Sequence, residues 1–196
     1  MPHSAFAALA RRYPDPRSVQ RLLRTLPYNR ERGGETLRSA LSAWKAGTAH
    51  CLEAALLAAA ILEHRGYPPL VMSLESADDL DHVIFVFRGP KGWGSVARSR
   101  DEGLHGREPR YRSLRDLAWS YFDPYVDASG RVTGYGSAHL DQTGVAWRDS
   151  SRHVWQVERF LIDLPHRALR GSDRRYQRLL QRWRQHGPLP LQPGWW

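Results

Sequence analysis

The longest apolar stretch of the chain predicts a buried helix that begins near Cys51. Residues 52–62 have almost no polar face, so neighbouring elements are expected to cover this helix on several sides. Thr48 is the predicted N-cap, which places Cys51 at about the third helical position, with Glu53 close behind. One glycine and two prolines in the stretch 65–69 then end the helix.

Two apolar runs after this helix predict strands. Residues 70–74 indicate a strand of mixed burial, and residues 81–88 are rich in β-branched and aromatic side chains. The turn residues at 89–92 allow the chain to return as a second strand over 93–99. The sequence therefore predicts an antiparallel hairpin after the apolar helix.

Further helices are predicted on both sides of this middle region. The ranges with helical spacing are 4–12, 18–26, 35–44, 114–122 and 155–161, and short strands are expected within 127–143. A last amphipathic helix carries Tyr176, Leu179, Leu180 and Trp183 on its apolar side, and an irregular, proline-rich tail follows from residue 187. Helices before an antiparallel sheet predict an α+β fold in one domain, with N-terminal helices over 1–46, a core over 47–165, and the basic helix and tail over 166–196.

The position of Cys51 suits a nucleophile. A thiol in the first helical turn lies in the positive field of the helix dipole, which favours the reactive thiolate. A thiol nucleophile needs a base, and His82 at the start of the predicted hairpin can supply one. A structural interpretation stands beside this one, in which Cys51 is a small core residue and His82 a surface residue at a strand end. His50 is predicted to face solvent or to cap the helix, because adjacent helical residues point about 100° apart.

The order of these features resembles the transglutaminase-like superfamily, and uncharacterised bacterial members in particular. The resemblance rests on the stretch 47–51 opening a helix, its Gly-Tyr-Pro-Pro exit into a strand, and Asp81-His82 opening a hairpin that returns through Trp93. It covers roughly residues 43–99, and residues 107–122 support it. The resemblance implies a papain-like cysteine enzyme fold, in which a central cysteine-bearing helix packs on an antiparallel sheet with additional N- and C-terminal helices.

The third member of the implied Cys, His, Asp triad is open. The resemblance places the aspartate at Ala97, whose methyl group cannot orient an imidazole. In a hairpin centred on Pro90 and Lys91, His82 faces Ser99, whose hydroxyl can accept a hydrogen bond from the ring. Asp101, two residues further along, is the other candidate, and an incomplete triad is the third possibility.

Two functions are consistent with these residues. In the first, Cys51 attacks an amide carbonyl of a peptide or protein and His82 protonates the departing amine. Water then releases the acyl group in a cysteine peptidase or amidase, or an amine takes it in an acyltransferase. In the second, the fold is a catalytically incomplete binding module that holds an acidic partner on an arginine-rich surface.

Composition limits the remaining possibilities. The chain has 196 residues, 41% of them hydrophobic, and a net charge of +9 that comes almost wholly from arginine, since Lys45 and Lys91 are its only lysines. The clearest basic pattern is on the C-terminal helix, and the preferred interpretation is a helix that docks on the domain and leaves a solvated basic face. Binding of an acidic protein or peptide, nucleic acid or a membrane surface is the weaker interpretation. A single cysteine excludes an internal disulfide, and no apolar window is long enough for a membrane span, so a cytoplasmic location is expected.

No cofactor or metal is expected from the sequence. The nine histidines include no His-Glu-x-x-His pair, and the glycine-rich stretch 89–94 lacks phosphate-loop spacing. Asp78, Asp79 and Asp81 could attract a divalent ion, but a solvated acidic loop before the histidine strand is the simpler interpretation.

Overall fold

The computed structural model of the protein describes residues 2–77 and 81–190, so Asp78, Asp79 and the tail at 191–196 lie outside the described residues. The fold is α+β, as predicted, and the described residues form seven α-helices and a six-stranded antiparallel sheet. No helix within these two ranges is long and apolar enough to cross a membrane. The helices are α1 (Pro2–Arg12), α2 (Pro16–Thr25), α3 (Ala40–Ala46), α4 (Cys51–Leu62), α5 (Leu114–Tyr125), α6 (Trp155–Ile162) and α7 (Asp173–His186).

The six strands lie in the order β4-β3-β2-β1-β5-β6 across the sheet, and every neighbouring pair is antiparallel. Their bounds are β1 (Leu70–Ser76), β2 (His82–Gly89), β3 (Gly92–Val96), β4 (Arg107–Tyr111), β5 (Val132–His139) and β6 (Arg167–Ala168). Strand β4 lies where the sequence analysis predicts no strand.

The sheet separates two apolar layers. On one face, Val83, Phe85 and Phe87 of β2 join a cluster built mainly from α1, α2 and α4. On the other face, Ile84 and Val86 join a cluster that includes α5 and residues of β5. This alternation along β2 is the pattern of a central strand buried on both faces. The position of α4 against β2 brings the beginnings of these two elements together.

The hairpin has the predicted register but a shorter second strand. Phe85 pairs with Val96, which is the register of a turn centred on residues 90 and 91. Strand β3 ends at Val96 instead of continuing to residue 99. The side-chain amide of Gln20 on α2 pairs there with the main chain of Ala97, through two hydrogen bonds of 2.8 Å. The chain then leaves the sheet, so His82 and Ser99 do not become ladder partners.

Two predicted helix boundaries are also corrected. The third helix begins at Ala40 rather than at residue 35, because residues 36–39 are extended and use their polar groups to bind α4. The N-cap of α4 is His50 rather than Thr48, so Cys51 is the first helical residue. The predicted end is confirmed, since a short 3₁₀ turn follows α4 and Gly66 closes it with a φ of +82°, a conformation that favours glycine.

Candidate active site

Cys51 lines a cavity of about 650 Å³ where α4 and β2 begin, and residues from both faces of the sheet contribute to its wall. His50, His82, Ser99 and Asp101 line the same cavity. The thiol is half-buried, and the main-chain carbonyl of Asp81 lies 4.0 Å from its sulfur. The first residue of a helix and the first residue of a strand thus meet at one cavity.

The structure brings Cys51 and His82 together, as the sequence predicts. The imidazole of His82 lines the same cavity as the thiol and lowers its pKa. The other end of this ring is fixed by Leu104, whose main-chain carbonyl accepts a hydrogen bond from Nε2 at 2.9 Å. Because a carbonyl can only accept, Nε2 of His82 carries a proton, and Nδ1 is left to exchange a proton with the thiol. His82 is only 4% exposed, so water competes little for these contacts.

Ser99 and Asp101 lie near the pair but do not take the predicted role. The Ser99 hydroxyl accepts a hydrogen bond from the main-chain N–H of Asp101 at 3.2 Å, and the Asp101 carboxylate binds Arg100. The hydrogen bond that the sequence analysis assigns to one of these two residues goes to the carbonyl of Leu104. Leu104 takes this place because β3 ends early and the 3₁₀ turn over Glu102–Leu104 lies against His82.

His50 is the N-cap of α4, which is one of the two predicted positions, and its imidazole also interacts with the thiol of Cys51. Its Nε2 donates to the main-chain carbonyl of Thr36 at 2.9 Å. The prediction of no contact with the thiol assumed that both residues are helical. His50 is instead the N-cap with an extended backbone, at φ −85° and ψ −177°, so the angle between adjacent helical residues does not apply.

A buried carboxylate supports His50. Glu53 is fully buried, and its Oε1 lies 3.8 Å from Nε2 of His50, while its Oε2 accepts from the His50 main-chain N–H at 3.2 Å. Arg38 binds the same carboxylate with two hydrogen bonds of 2.7 Å, one to each oxygen. A charge buried this deeply persists only when it is paired and hydrogen-bonded, and this one is both. The spacing of His50 and Glu53, that of an N-cap and the third helical residue, is the sequence signal for this contact.

The electrostatics of the site favour a thiolate facing an imidazolium. Burial alone would raise the pKa of the Cys51 thiol, but hydrogen bonds from His50 and His82 and the charges of these rings hold it well below its usual value. Burial lowers the pKa of His50, but its hydrogen bond to Cys51 and the charges of the thiolate and Glu53 raise it to about 9. The pKa of Glu53 is lowered because Arg38 outweighs the effect of burial. Cys51 is therefore a candidate nucleophile at neutral pH.

Tyr28 lies beside the nucleophile as well. An isolated bridge pairs the main chain of Tyr28 with that of Ala49, two residues before Cys51, and Tyr28 lines the same cavity as the thiol. The main-chain N–H of Cys51 faces the phenol oxygen and by itself would lower the pKa of Tyr28. Burial and the thiolate charge of Cys51 both raise the pKa of Tyr28, so the phenol stays protonated and can donate a hydrogen bond.

The loop that carries Leu104 is held by Arg107. This side chain is 3% exposed, and no carboxylate of the described residues lies within ion-pairing distance of it. The guanidinium donates instead to the main-chain carbonyls of Gly103 at 2.7 Å and His105 at 2.5 Å, on either side of Leu104. Its face lies 4.1 Å from the centre of the Tyr121 ring. A buried cation thus fixes the peptide groups that orient His82.

Within the described residues, no group of three His, Cys, Asp or Glu side chains is placed to hold a metal ion. Comparison of the chain with protein-family models and with curated proteins finds no match. The interpretation of the site therefore rests on its own geometry.

Proposed function

We propose that the protein is a transglutaminase-like cysteine enzyme that cleaves or transfers an amide acyl group, and that it acts mainly as a peptidase or amidase. The observation that carries the proposal is that the Cys51 thiol shares an open cavity with two imidazoles, His50 and His82, which together hold its pKa well below the usual value. A cysteine buried only for packing has no need of two imidazole partners.

The first half of the proposed reaction forms a thioester. The Cys51 thiolate attacks the amide carbon, a C–S bond forms, and the carbonyl oxygen becomes an oxyanion. The intermediate collapses by breaking the C–N bond, and the imidazolium of His82 gives its proton to the departing amine. The hydroxyl of Tyr28 lines the same cavity as the thiol and can donate to the oxyanion.

The second half releases the acyl group. Neutral His82 takes a proton from water as the water oxygen attacks the thioester, a C–O bond forms, and the C–S bond breaks to regenerate the thiolate. Glu35 and Glu158 at the edge of the cavity are exposed, so water has access to the site. This access favours hydrolysis over transfer to an amine, which requires a cavity that excludes water. A cytoplasmic location, where a free thiol stays reduced, belongs to the same proposal.

The second candidate function is a binding module without catalysis. The observation that favours it is the neutral carbonyl of Leu104 in the place where the resemblance implies an aspartate. The exposed arginines of α7, such as Arg174, Arg178 and Arg184, would then hold an acidic protein or peptide.

Active-site labelling separates the two functions. A peptidyl chloromethyl ketone is incubated with the wild type, Cys51→Ala and His82→Ala at pH 7, and the modified residue is located by mass spectrometry. The enzyme proposal expects rapid labelling of Cys51 that is lost in Cys51→Ala and slowed at least about tenfold in His82→Ala. Equal rates in the wild type and folded His82→Ala would contradict the enzyme proposal and favour the binding module.

A further inference from the structure

The wall of the cavity beside His50 carries three carboxylates that form no ion pair with an arginine or lysine of the described residues, although Arg30 lines the same cavity. Glu31 and Glu35 come from the loop before α3, and Glu158 comes from α6. None of the three carboxylates makes an ion pair with any described residue, although the chain as a whole has a net charge of +9. The Glu31 carboxylate accepts from the Thr36 main-chain N–H at 2.7 Å and is thereby held in place.

These carboxylates affect one another and the thiolate. Burial raises the pKa of Glu158, the charges of Glu35, Glu31 and Cys51 raise it further, and only His50 lowers it. Like charges that share one site destabilise one another, and a bound cation relieves that repulsion. In the free protein, the repulsion among these carboxylates and the thiolate is therefore only partly offset.

The opposite side of the same cavity is different. Asp101 and Asp127 lie on either side of Arg100, whose guanidinium is 3.3 Å from one carboxylate and 4.0 Å from the other. An arginine lies between the two carboxylates there, whereas His50 is the one positive charge that lowers the pKa of Glu158. The unpaired charge is therefore a local property of one wall.

The same wall also offers apolar surface. Trp155, Leu161 and Ile162 of α6 line the cavity together with Glu158. Ile162 is 64% exposed and is the one large hydrophobic side chain with such exposure among the described residues. Trp155, Glu158 and Ile162 are spaced at three and four residues along α6, so they share one face of the helix. A side chain with an aliphatic stem and a charged end matches this face, because the stem can pack on Ile162 and the cation can reach Trp155 and Glu158.

From these observations we infer that the substrate is an amide whose acyl part carries a cationic side chain of the arginine or lysine type, bound along α6 between Ile162 and the carboxylates of Glu31, Glu35 and Glu158. The inference rests on the proposed function and names the substrate class of that site. An anionic side chain bound along α6 would meet the three carboxylates, and a neutral one would leave their mutual repulsion unrelieved.

Two probes that differ only slightly in shape test the charge requirement. Acetyl-arginine and acetyl-citrulline chloromethyl ketones are compared by their second-order rates of Cys51 labelling, measured by intact-protein mass spectrometry at low salt. We expect the arginine probe to react at least about tenfold faster, and the advantage to shrink in 0.5 M salt, since exposed charges are then screened. Equal rates for the two probes would overturn the inference.

Charge-neutralising variants locate the effect. Glu35 and Glu158 are exposed, so the double variant Glu35→Gln/Glu158→Gln is expected to fold, and it should reduce the arginine-to-citrulline rate ratio at least about threefold. Asp163→Asn is the matched control, because Asp163 is an exposed carboxylate directly after α6 that does not line the cavity, and its ratio should equal that of the wild type. The inference would also be overturned if the double variant left the arginine-to-citrulline rate ratio unchanged. It would be overturned likewise if Asp163→Asn lowered that ratio as much as the double variant does.

Iodoacetamide distinguishes this inference from the proposed function. If iodoacetamide labels Cys51 but neither ketone does, the amide enzyme itself is contradicted. If both ketones label Cys51 at the same rate, the enzyme proposal stands and only the cationic substrate is excluded.

Discussion

The two imidazoles beside Cys51 are supported by opposite kinds of group. His50 lies against the buried Glu53 carboxylate. Arg38 donates a hydrogen bond to each oxygen of that carboxylate. His82 donates to the neutral carbonyl of Leu104, and the buried cation nearby, Arg107, binds the carbonyls on either side of that residue. One ring has an anion behind it, and the other has a peptide dipole.

Because of this difference, we expect the two imidazoles to have different roles in the reaction. The carboxylate and the thiolate keep His50 protonated, with a pKa of about 9, so it acts as a fixed positive charge that stabilises the thiolate. A neutral acceptor orients the ring of His82 without placing a negative charge behind it. We therefore expect His82 to transfer protons during the reaction and His50 to set the thiolate population. The predictions below separate these two roles.

The largest expected effect is that of His82→Ala on turnover. Removing a general acid and base costs about 10²- to 10⁴-fold in rate, and His50 is not expected to replace it, because its proton is held by Glu53. The measurement is kcat/KM on the amide substrate found by the probes above, or single-turnover acylation by an activated amide. His153→Ala, an exposed histidine outside the cavity, is the control. An activity in His82→Ala within tenfold of the wild type would assign the proton transfer to His50.

Glu53→Gln should have the next largest effect, and chiefly on stability. It leaves the Arg38 guanidinium without its buried partner, and breaking a buried ion pair in this way costs about 3 to 5 kcal/mol of unfolding free energy. Urea denaturation at pH 7 measures the change. Glu63→Gln removes the corresponding partner of Arg148 in a more exposed pair and should cost only about 1 kcal/mol or less. Equal losses in the two variants would mean that the support behind His50 is not special.

His50→Gln tests the fixed charge through the pH dependence of alkylation. In the wild type the thiolate forms at a pH well below the usual thiol pKa, and a second inflection should appear near pH 9, where His50 loses its proton and the lone thiolate reacts faster. The variant should lack the inflection near pH 9, and its thiol pKa should rise by about one unit or more, because one positive charge is gone. Iodoacetamide rates between pH 5 and 10 measure both. If the pH profile of alkylation in His50→Gln were identical to that of the wild type, His50 would have no effect on the thiolate.

Ser99→Ala should have the smallest effect. Its hydroxyl accepts only from the Asp101 main chain, so the variant should keep kcat/KM within about twofold and lose about 1 kcal/mol of stability. The same assays as above apply. A loss of activity comparable to that of His82→Ala would restore Ser99 as the partner of the histidine and displace Leu104.

The parts of the site that local patterns predicted are those set by nearby residues. The apolar run fixed the helix after Cys51, and the turn at residues 90 and 91 fixed the register of β2 and β3. Because α4 packs on β2, the order of these elements was enough to predict that Cys51 and His82 meet.

The errors come from contacts between distant parts of the chain. Strand β3 ends early because Gln20, 77 residues before Ala97, pairs with its main chain, and no local pattern announces such a contact. The role of His50 depends on one pair of dihedral angles at a cap and on the Thr36 carbonyl. A carbonyl acceptor such as that of Leu104 has no residue type to recognise, so a search for an aspartate could not find it.

Because the partner of His82 is a main-chain carbonyl, the residues that constrain it are those that shape the loop around position 104. Every amino acid carries the same carbonyl, so substituting the buried side chain of Leu104 changes core packing but leaves the hydrogen-bond acceptor in place. The constraint falls instead on residues that shape the loop, such as Gly106, where a Cβ would collide with the Ser95 carbonyl and the Gln20 side chain. In relatives of this protein, the signature of the histidine's partner is therefore expected as an invariant glycine and arginine, with no acidic residue to mark the place.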